Sequence, residues 1–270
     1  MNTETGGEAK VQAGDVKPIR VALLAEFDGT GFSGFQSQKN ERTVQQVLEE
    51  AVFAVYGVKR RISGCSRTDA GVHARGHVSH VDLPFFIPDE KIPLAMNAHL
   101  PEDVCVLKAA TVGPDFHARF DSTGKRYTYR IHNTRIRPCI NRRNTAHVPG
   151  KLDIESMREA AELLTGTKDF SAFGAATADG RTVCPIRTVR FAGVERIPGS
   201  DVIEIIVEGE SFLYNMVRII AGTLVYVGQG KITIRGVGEL FENKDRRLAG
   251  ITMPACGLTL EKVFYDPPVF

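Results

Sequence analysis

The fourteen residues Gly64–His77, G-C-S-R-T-D-A-G-V-H-A-R-G-H, place a single carboxylate, Asp69, between a cation and a flexible turn. Arg67 stands two residues before it and is able to pair with phosphate or carboxylate. Thr68 and Asp69 both hydrogen-bond local backbone readily, and Ala70-Gly71 permits a sharp turn that aims the carboxylate outward. A nucleophile can be mounted in this way. Over five residues, however, a plain turn-capping Asp beside a surface arginine looks the same. A second chemistry is offered by His73, His77 and His80, whose H-x-x-x-H spacing with a third histidine nearby suggests zinc and a hydrolase. It is weakened by geometry. If His77 to Leu83 is a strand, His77 and His80 face opposite sides, and no Glu occupies the H-E-x-x-H place.

These residues need elements to hold them, and the apolar periodicity supplies a regular order. Ile19, Val21, Leu23, Ala25 and Phe27 alternate as a strand that ends at the glycine-rich turn Asp28-Gly29-Thr30-Gly31. Thr43 with Gln46 reads as a capping box for a helix that Gly57 stops. Strands follow near Val58 to Ser63 and His77 to Leu83, then a helix from Pro88 to Ala98 and a strand from Val104 to Val112. The order then repeats: a strand at Lys125 to Asn133, a helix from Asp153 to Leu164, strands near Val183 to Val194 and Val202 to Glu208. An apolar helix from about Phe212 to Val227 and a strand from Leu258 to Phe264 complete it. Two such units predict an α+β duplication of ferredoxin-like, RRM-like β-α-β-β halves, residues 18–112 and 113–270, joined edge to edge with helices on one face.

No apolar run approaches the roughly 20 residues that cross a bilayer. Residues 1–17 mix small and charged side chains without a signal-peptide core and are expected to form a disordered tail. Five scattered cysteines without C-x-x-C argue against disulfides or a cysteine zinc site, and imply the cytoplasm. The formal net charge of +2 hides an asymmetry. Nine Lys or Arg against Asp121 give residues 119–151 a charge of +8, and the remainder sums to −6. Arg126, Arg130, Arg142 and Arg143, interleaved with Tyr127 and Tyr129, suit a surface that meets phosphates and stacks bases. Charge alone would equally suit an RNA-binding protein without catalysis. The turn D-G-T-G-F-S-G has neither the Lys of a phosphate-binding loop nor the G-x-G-x-x-G order, so no nucleotide cofactor is expected. Arg218 lies in the otherwise apolar helix, where an unpaired guanidinium would be costly, and Asp69 is its candidate partner, whose pKa such a cation is expected to keep low.

The string around Asp69 resembles the active-site motif of the tRNA pseudouridine synthase A family, G-R-T-D-A-G-V-H-x-x-G-x-V, with Ser66 where that pattern usually has Gly. Further segments carry the likeness from Val21 to about Tyr265: F-D-G-T-G-F-S-G-F-Q-S-Q from Phe27, where the family usually has Tyr for Phe27 and often Trp for Phe35, D-F-H-A-R-F from Asp115, and K-R-Y-T-Y-R-I from Lys125. D-F-S-A-F from Asp169, F-L-Y-N-M-V-R-I-I-A-G from Phe212 and A-C-G-L-T-L from Ala255 complete the set. The resemblance implies a mixed, mostly antiparallel sheet around a central basic cleft and a cofactor-free isomerase. It implies uridines of the tRNA anticodon stem-loop, positions 38–40, as substrate, and a homodimer that holds one tRNA across both subunits. By the same resemblance Asp69 is the nucleophile, Arg218 its ion-pair partner and Tyr127 the ring that stacks on the uracil and serves as acid or base. Arg67 fills the gap left by the extruded base, and Leu258 closes the pocket over it.

Overall fold

The computed structural model describes residues 18–175 and 183–270, so the expected N-terminal tail lies outside the described residues. Strand β1 (Ile19–Phe27) opens the chain, and helix α1 (Val44–Tyr56) follows. Thr43 caps α1 by accepting the Gln46 N–H at 3.4 Å, and Gly57 ends it in the left-handed region at φ 69°. Next come β2 (Ser63–Gly64), β3 (His73–Leu83), α2 (Ile92–Asn97), β4 (Val104–Thr111) and β5 (Ser122–His132). Then follow β6 (Ala146–His147), α3 (Ile154–Glu162), β7 (Gly166–Asp169), β8 (Ile186–Arg196), β9 (Val202–Gly209), α4 (Met216–Gly228), α5 (Ile234–Asn243) and β10 (Leu258–Tyr265).

The structure departs from the sequence expectation in several places: β3 begins at His73 instead of His77, α2 begins at Ile92 instead of Pro88, β6 and β7 are additional strands, and three further departures have a physical reason. The strand expected from Val58 shrinks to β2, because Lys59, Arg60 and Arg61 are exposed and only Ser63 and Gly64 find partners on β3. Helix α4 starts at Met216 instead of Phe212, because Asn215 adopts φ 60° and breaks the backbone ahead of it. Helix α5 escaped notice since Gly236 and Gly238 depress its propensity; burial of Val237 and Leu240 holds it.

The strands form one ten-stranded mixed sheet, ordered β4-β1-β3-β10-β5-β9-β8-β7, with β2 on β3 and β6 on β5. Only the β10–β3 and β5–β6 pairings are parallel. The two halves meet through β10, which pairs with β3 at Thr259 and Leu260 and with β5 along most of its length. Along β9 burial alternates, Ile203, Ile205 and Val207 being fully buried while Glu204 and Glu208 reach the other side. The buried face of β5, with Tyr127, Tyr129 and Ile131, packs against α4, and α3 covers β8. The opposite face presents Arg126, Arg130, Glu204, Glu208 and Glu261 as an ion-pair network.

Candidate active site

The loop that carries Asp69 is clamped by the glycine-rich turn after β1. Phe35 N–H donates to Thr68 O at 3.1 Å, and Gly71 N–H donates to Phe32 O at 3.3 Å. Gly34 makes the approach possible: its φ is 91°, and a Cβ there would stand 2.5 Å from the Thr68 carbonyl. Asp69 and Gly71 form the sharp turn, with Val72 N–H donating to Asp69 O at 3.1 Å and Gly71 at φ 78°. The carboxylate therefore stands on a turn fixed from below. Its side chain is 26% exposed.

Arg218 reaches Asp69 from the first turn of α4, with Nη1 to Oδ2 at 3.3 Å. Two further contacts aim the guanidinium: Nε donates to Met253 O at 2.7 Å, and Nη1 donates to Asn215 Oδ1 at 2.7 Å. Asn215 thus spends its side chain on Arg218 and caps no helix N–H. Among the described residues no hydrogen bond reaches Asp69 Oδ1. Sequence reasoning expected the cation to hold the Asp69 pKa low. Burial wins instead and raises it above the ordinary carboxylate value, with Arg218 opposing.

A cleft of about 720 Å³ opens over this pair, lined by Arg67, Asp69, Tyr127, Arg218 and Leu258 together. Tyr127 is 8% exposed, its ring meets Phe212 edge-on at 5.3 Å, and its hydroxyl shares a 3.0 Å hydrogen bond with Ser66 Oγ. Burial raises its phenol pKa, so it stays protonated at neutral pH and can donate a hydrogen bond. Leu258 is set beside Tyr129 in the β10–β5 register and presents a buried apolar edge to the cleft. Among the described residues the charged groups in the lining are Arg67, Arg119, Lys125, Arg187 and Arg218 against Asp69. The sequence reading did not assign Arg119, Lys125 and Arg187 to the site. Lys125 was legible, being two residues before Tyr127 and so on the same strand face; Arg187 arrives from β8 with no local signal.

The other predicted phosphate ligands are not brought to the cleft. Arg130 is nearly enclosed, donating from Nε to Glu204 at 2.7 Å and from Nη2 to Glu261 at 2.8 Å. Arg126 pairs with Glu208 at 2.8 Å on the same face. Arg142 and Arg143 are exposed on a short 3-10 turn, Ile140–Arg143. The histidines diverge. A register shift pairs Ala25 with His77 but Phe27 with Ala74, which turns His73 to the face opposite His77. His73 accepts the Gly29 N–H and faces Arg143 O, His77 stacks on Phe35 at 4.0 Å, and His80 accepts the Ala118 N–H. Burial lowers the pKa of His77 and of His80 to about 4. Among the described residues no three His, Cys, Asp or Glu side chains converge as metal ligands.

Comparison with known proteins agrees with this geometry. The family model described as tRNA pseudouridine synthase matches residues 23–121 and 160–266. The tRNA pseudouridine synthase A of Acetivibrio thermocellus is 42% identical over 245 residues, 91% of this chain and 99% of that protein. The proteins of the same name from Thermoanaerobacter sp. and Clostridium acetobutylicum are 44% and 42% identical over the same shares. A chain of the Cbf5-Nop10-Gar1 complex is a distant likeness, at 12% identity and TM-score 0.37 over 95% of this chain and 61% of that one. On the strength of the family match and these relatives, the chain belongs to the tRNA pseudouridine synthase family and is an isomerase that converts uridine to pseudouridine.

Proposed function

We propose that the enzyme acts on uridines in the anticodon stem-loop of tRNA, with Asp69 as nucleophile. The observation that supports this most directly is the Asp69–Arg218 pair, because among the described residues it sets one acid of the cleft among five cations. Such a field attracts a polyanion and offers a single carboxylate to it. The reaction breaks the bond from ribose C1′ to N1 of uracil, turns the base and forms the bond from C1′ to C5. The C5 proton leaves and N1 gains one, so the change is isomeric and needs no external energy. In this reading Asp69 attacks the target nucleotide through Oδ1 while Oδ2 stays with Arg218, and the covalent bond so formed breaks again as the base is rejoined through C5. Tyr127 forms the wall against which the uracil lies and exchanges a proton through its hydroxyl, backed by Ser66. Arg67, exposed at the mouth, fills the space of the extruded base, and Leu258 closes the pocket from β10. Arg142 and Arg143 meet backbone phosphates beyond the cleft. The protein works as a homodimer in the cytoplasm, one tRNA lying across both subunits.

The test is tritium release from tRNA labelled at uridine C5, measured with and without chelator, on wild type and Asp69→Asn. Asp69→Asn is expected to bind tRNA within a few-fold of wild type and to release no tritium, because the amide keeps size and polarity but loses nucleophilicity. A tenth of the wild-type rate in that variant removes Asp69 from the essential role. Release only from RNAs without an anticodon stem-loop overturns the assigned substrate.

A further inference from the structure

A second, smaller cavity of about 180 Å³ shares a wall with the catalytic cleft, since Ser66, Arg67 and Arg119 line both. Its remaining wall includes Phe35, Ile62, Gly64 and Gln36, with Arg61, His117 and Phe120 at the rim. Among the described residues none that line it is acidic, and Arg61, Arg67 and Arg119 make no ion pair. Phe120 is 74% exposed, a high value for a large aromatic at the rim of a polar cleft. Its ring rests on His117 at a centroid distance of 4.3 Å, inclined 33°, and Arg119 lies 5.7 Å from the Phe120 centroid.

This rim is held rigidly. His117 Nδ1 accepts the N–H groups of Arg119 and Phe120 at 3.2 and 3.3 Å. Asp121 accepts the His117 N–H at 2.8 Å and returns its own N–H to His117 O at 3.0 Å. Ser122 Oγ donates to Arg119 O at 2.9 Å. Such local bonds fix the turn before any ligand arrives and lower the entropy lost on binding. The D-F-H-A-R-F segment therefore builds an aromatic shelf flanked by cations, to which the catalytic reading gives no task. On the wall, a Cβ at Gly64 would lie 2.4 Å from the Phe35 ring, so glycine there keeps that ring in place beneath the shelf. The Gln36 amide makes no hydrogen bond among the described residues and so keeps its donors and acceptor for a base edge.

We propose that this cavity is a second nucleotide subsite, in which an unpaired base flanking the target uridine stacks on Phe120. The flanking phosphate lies among Arg61, Arg67 and Arg119, and the Gln36 amide meets the edge of the base. The inference rests on the tRNA reading above and adds to it a site of recognition outside the catalytic residues. Arg67 then separates two bases, the extruded uridine on one side and its neighbour on the other. Stacking on an aromatic side chain with cations alongside is tolerant of base identity, so the subsite reads an unpaired neighbour and not one particular base.

The experiment is an abasic scan. A synthetic stem-loop RNA is prepared with one abasic nucleotide at each position flanking the target, and single-turnover kcat/KM is measured for wild type, Phe120→Ala and Phe120→Tyr. Phe120→Ala is expected to lose on the order of tenfold on the intact RNA, and Phe120→Tyr to keep the wild-type value within about twofold. At one flanking position the abasic RNA should cost wild type a similar factor and cost Phe120→Ala nothing further, because the partner of the ring is already gone. Losses that multiply at every position, or a Phe120→Ala variant as active as wild type, overturn the subsite. The catalytic reading fails separately, when wild type does not convert the intact stem-loop. High exposure of Phe120 makes misfolding of the alanine variant an unimportant outcome, and a matching thermal midpoint verifies it.

Discussion

Asp69 carries two opposing demands that its surroundings resolve. In the proposed role it must be ionised to attack, yet burial against the loop and α4 disfavours its charge, and Arg218 offsets that cost. A buried, slightly destabilised carboxylate is a stronger nucleophile than a fully solvated one, because less hydration must be stripped from it. The sign of the pH dependence follows. Since the ionised form is active and the pKa is raised, kcat/KM should fall on acidification at a pH above that of an ordinary carboxylate. Arg218→Gln removes the opposing cation, so its acidic limb should move to still higher pH while the plateau rate drops by about 100-fold or more. A pH–rate profile of wild type and variant checks both; an acidic limb that stays in place or moves to lower pH contradicts the pairing. Tyr127 illustrates the converse. Burial keeps its phenol neutral, which suits a hydrogen-bond donor and a flat apolar wall in one residue.

At the scale of elements, the site depends on backbones that approach closely. Helix α4 presents Arg218 in its first turn, and the strap Ala249–Pro254 crosses its outer face to bring the Met253 carbonyl to Nε. This crossing is possible only because Gly222 lacks a side chain: a Cβ there would stand 2.0 Å from the Ile251 carbonyl oxygen. Gly222→Ala should therefore push the strap outward, costing about 1–3 kcal/mol of stability. The displaced carbonyl should release the Arg218 guanidinium, lowering kcat more than it raises KM. Denaturant unfolding and steady-state kinetics on the variant test this, and a variant with unchanged kcat would show that Met253 does not position Arg218. The glycine-rich turn after β1 plays the matching part for Asp69, laying Gly34 under Thr68.

For the whole molecule, the placement of charge distinguishes cations that face the cleft from those that hold the sheet. Affinity for tRNA should fall with salt, with a log–log slope of about −0.7 to −0.9 per phosphate contacted. Arg119→Ala or Arg187→Ala, in the cleft, should reduce the magnitude of that slope by about one unit or less and weaken all tRNAs alike. Arg130→Ala should leave the slope unchanged and instead lower stability by about 1–3 kcal/mol, since it strands Glu204 and leaves Glu261 only the longer contact with Arg75 at 3.9 Å. Filter binding across a salt series, beside thermal unfolding, separates the two classes. A reduced slope for Arg130→Ala would put the ion-pair face in contact with RNA.

Much of this protein was legible from local pattern alone. The strand at Ile19–Phe27, the Thr43 cap, the Gly57 stop and the Asp69 turn each depend on a few neighbouring residues, and so on periodicity and turn chemistry. The motifs around Asp69 and Arg218 named the family for the same reason, since each is a short contiguous string. What sequence could not settle was decided by contacts between distant segments. The insertion of β10 between β3 and β5 joins residues more than a hundred positions apart, and no local signal announces it. Of the basic stretch, Arg126 and Arg130 turned to carboxylates on β9 and β10, while Arg119 and Lys125 entered the cleft. The spacing of the stretch shows where cations occur; only the tertiary arrangement shows which of them face an acid and which face open solvent. The raised Asp69 pKa has the same origin, because the burial that opposes its charge is created by α4 and the loop closing together from opposite ends of the chain.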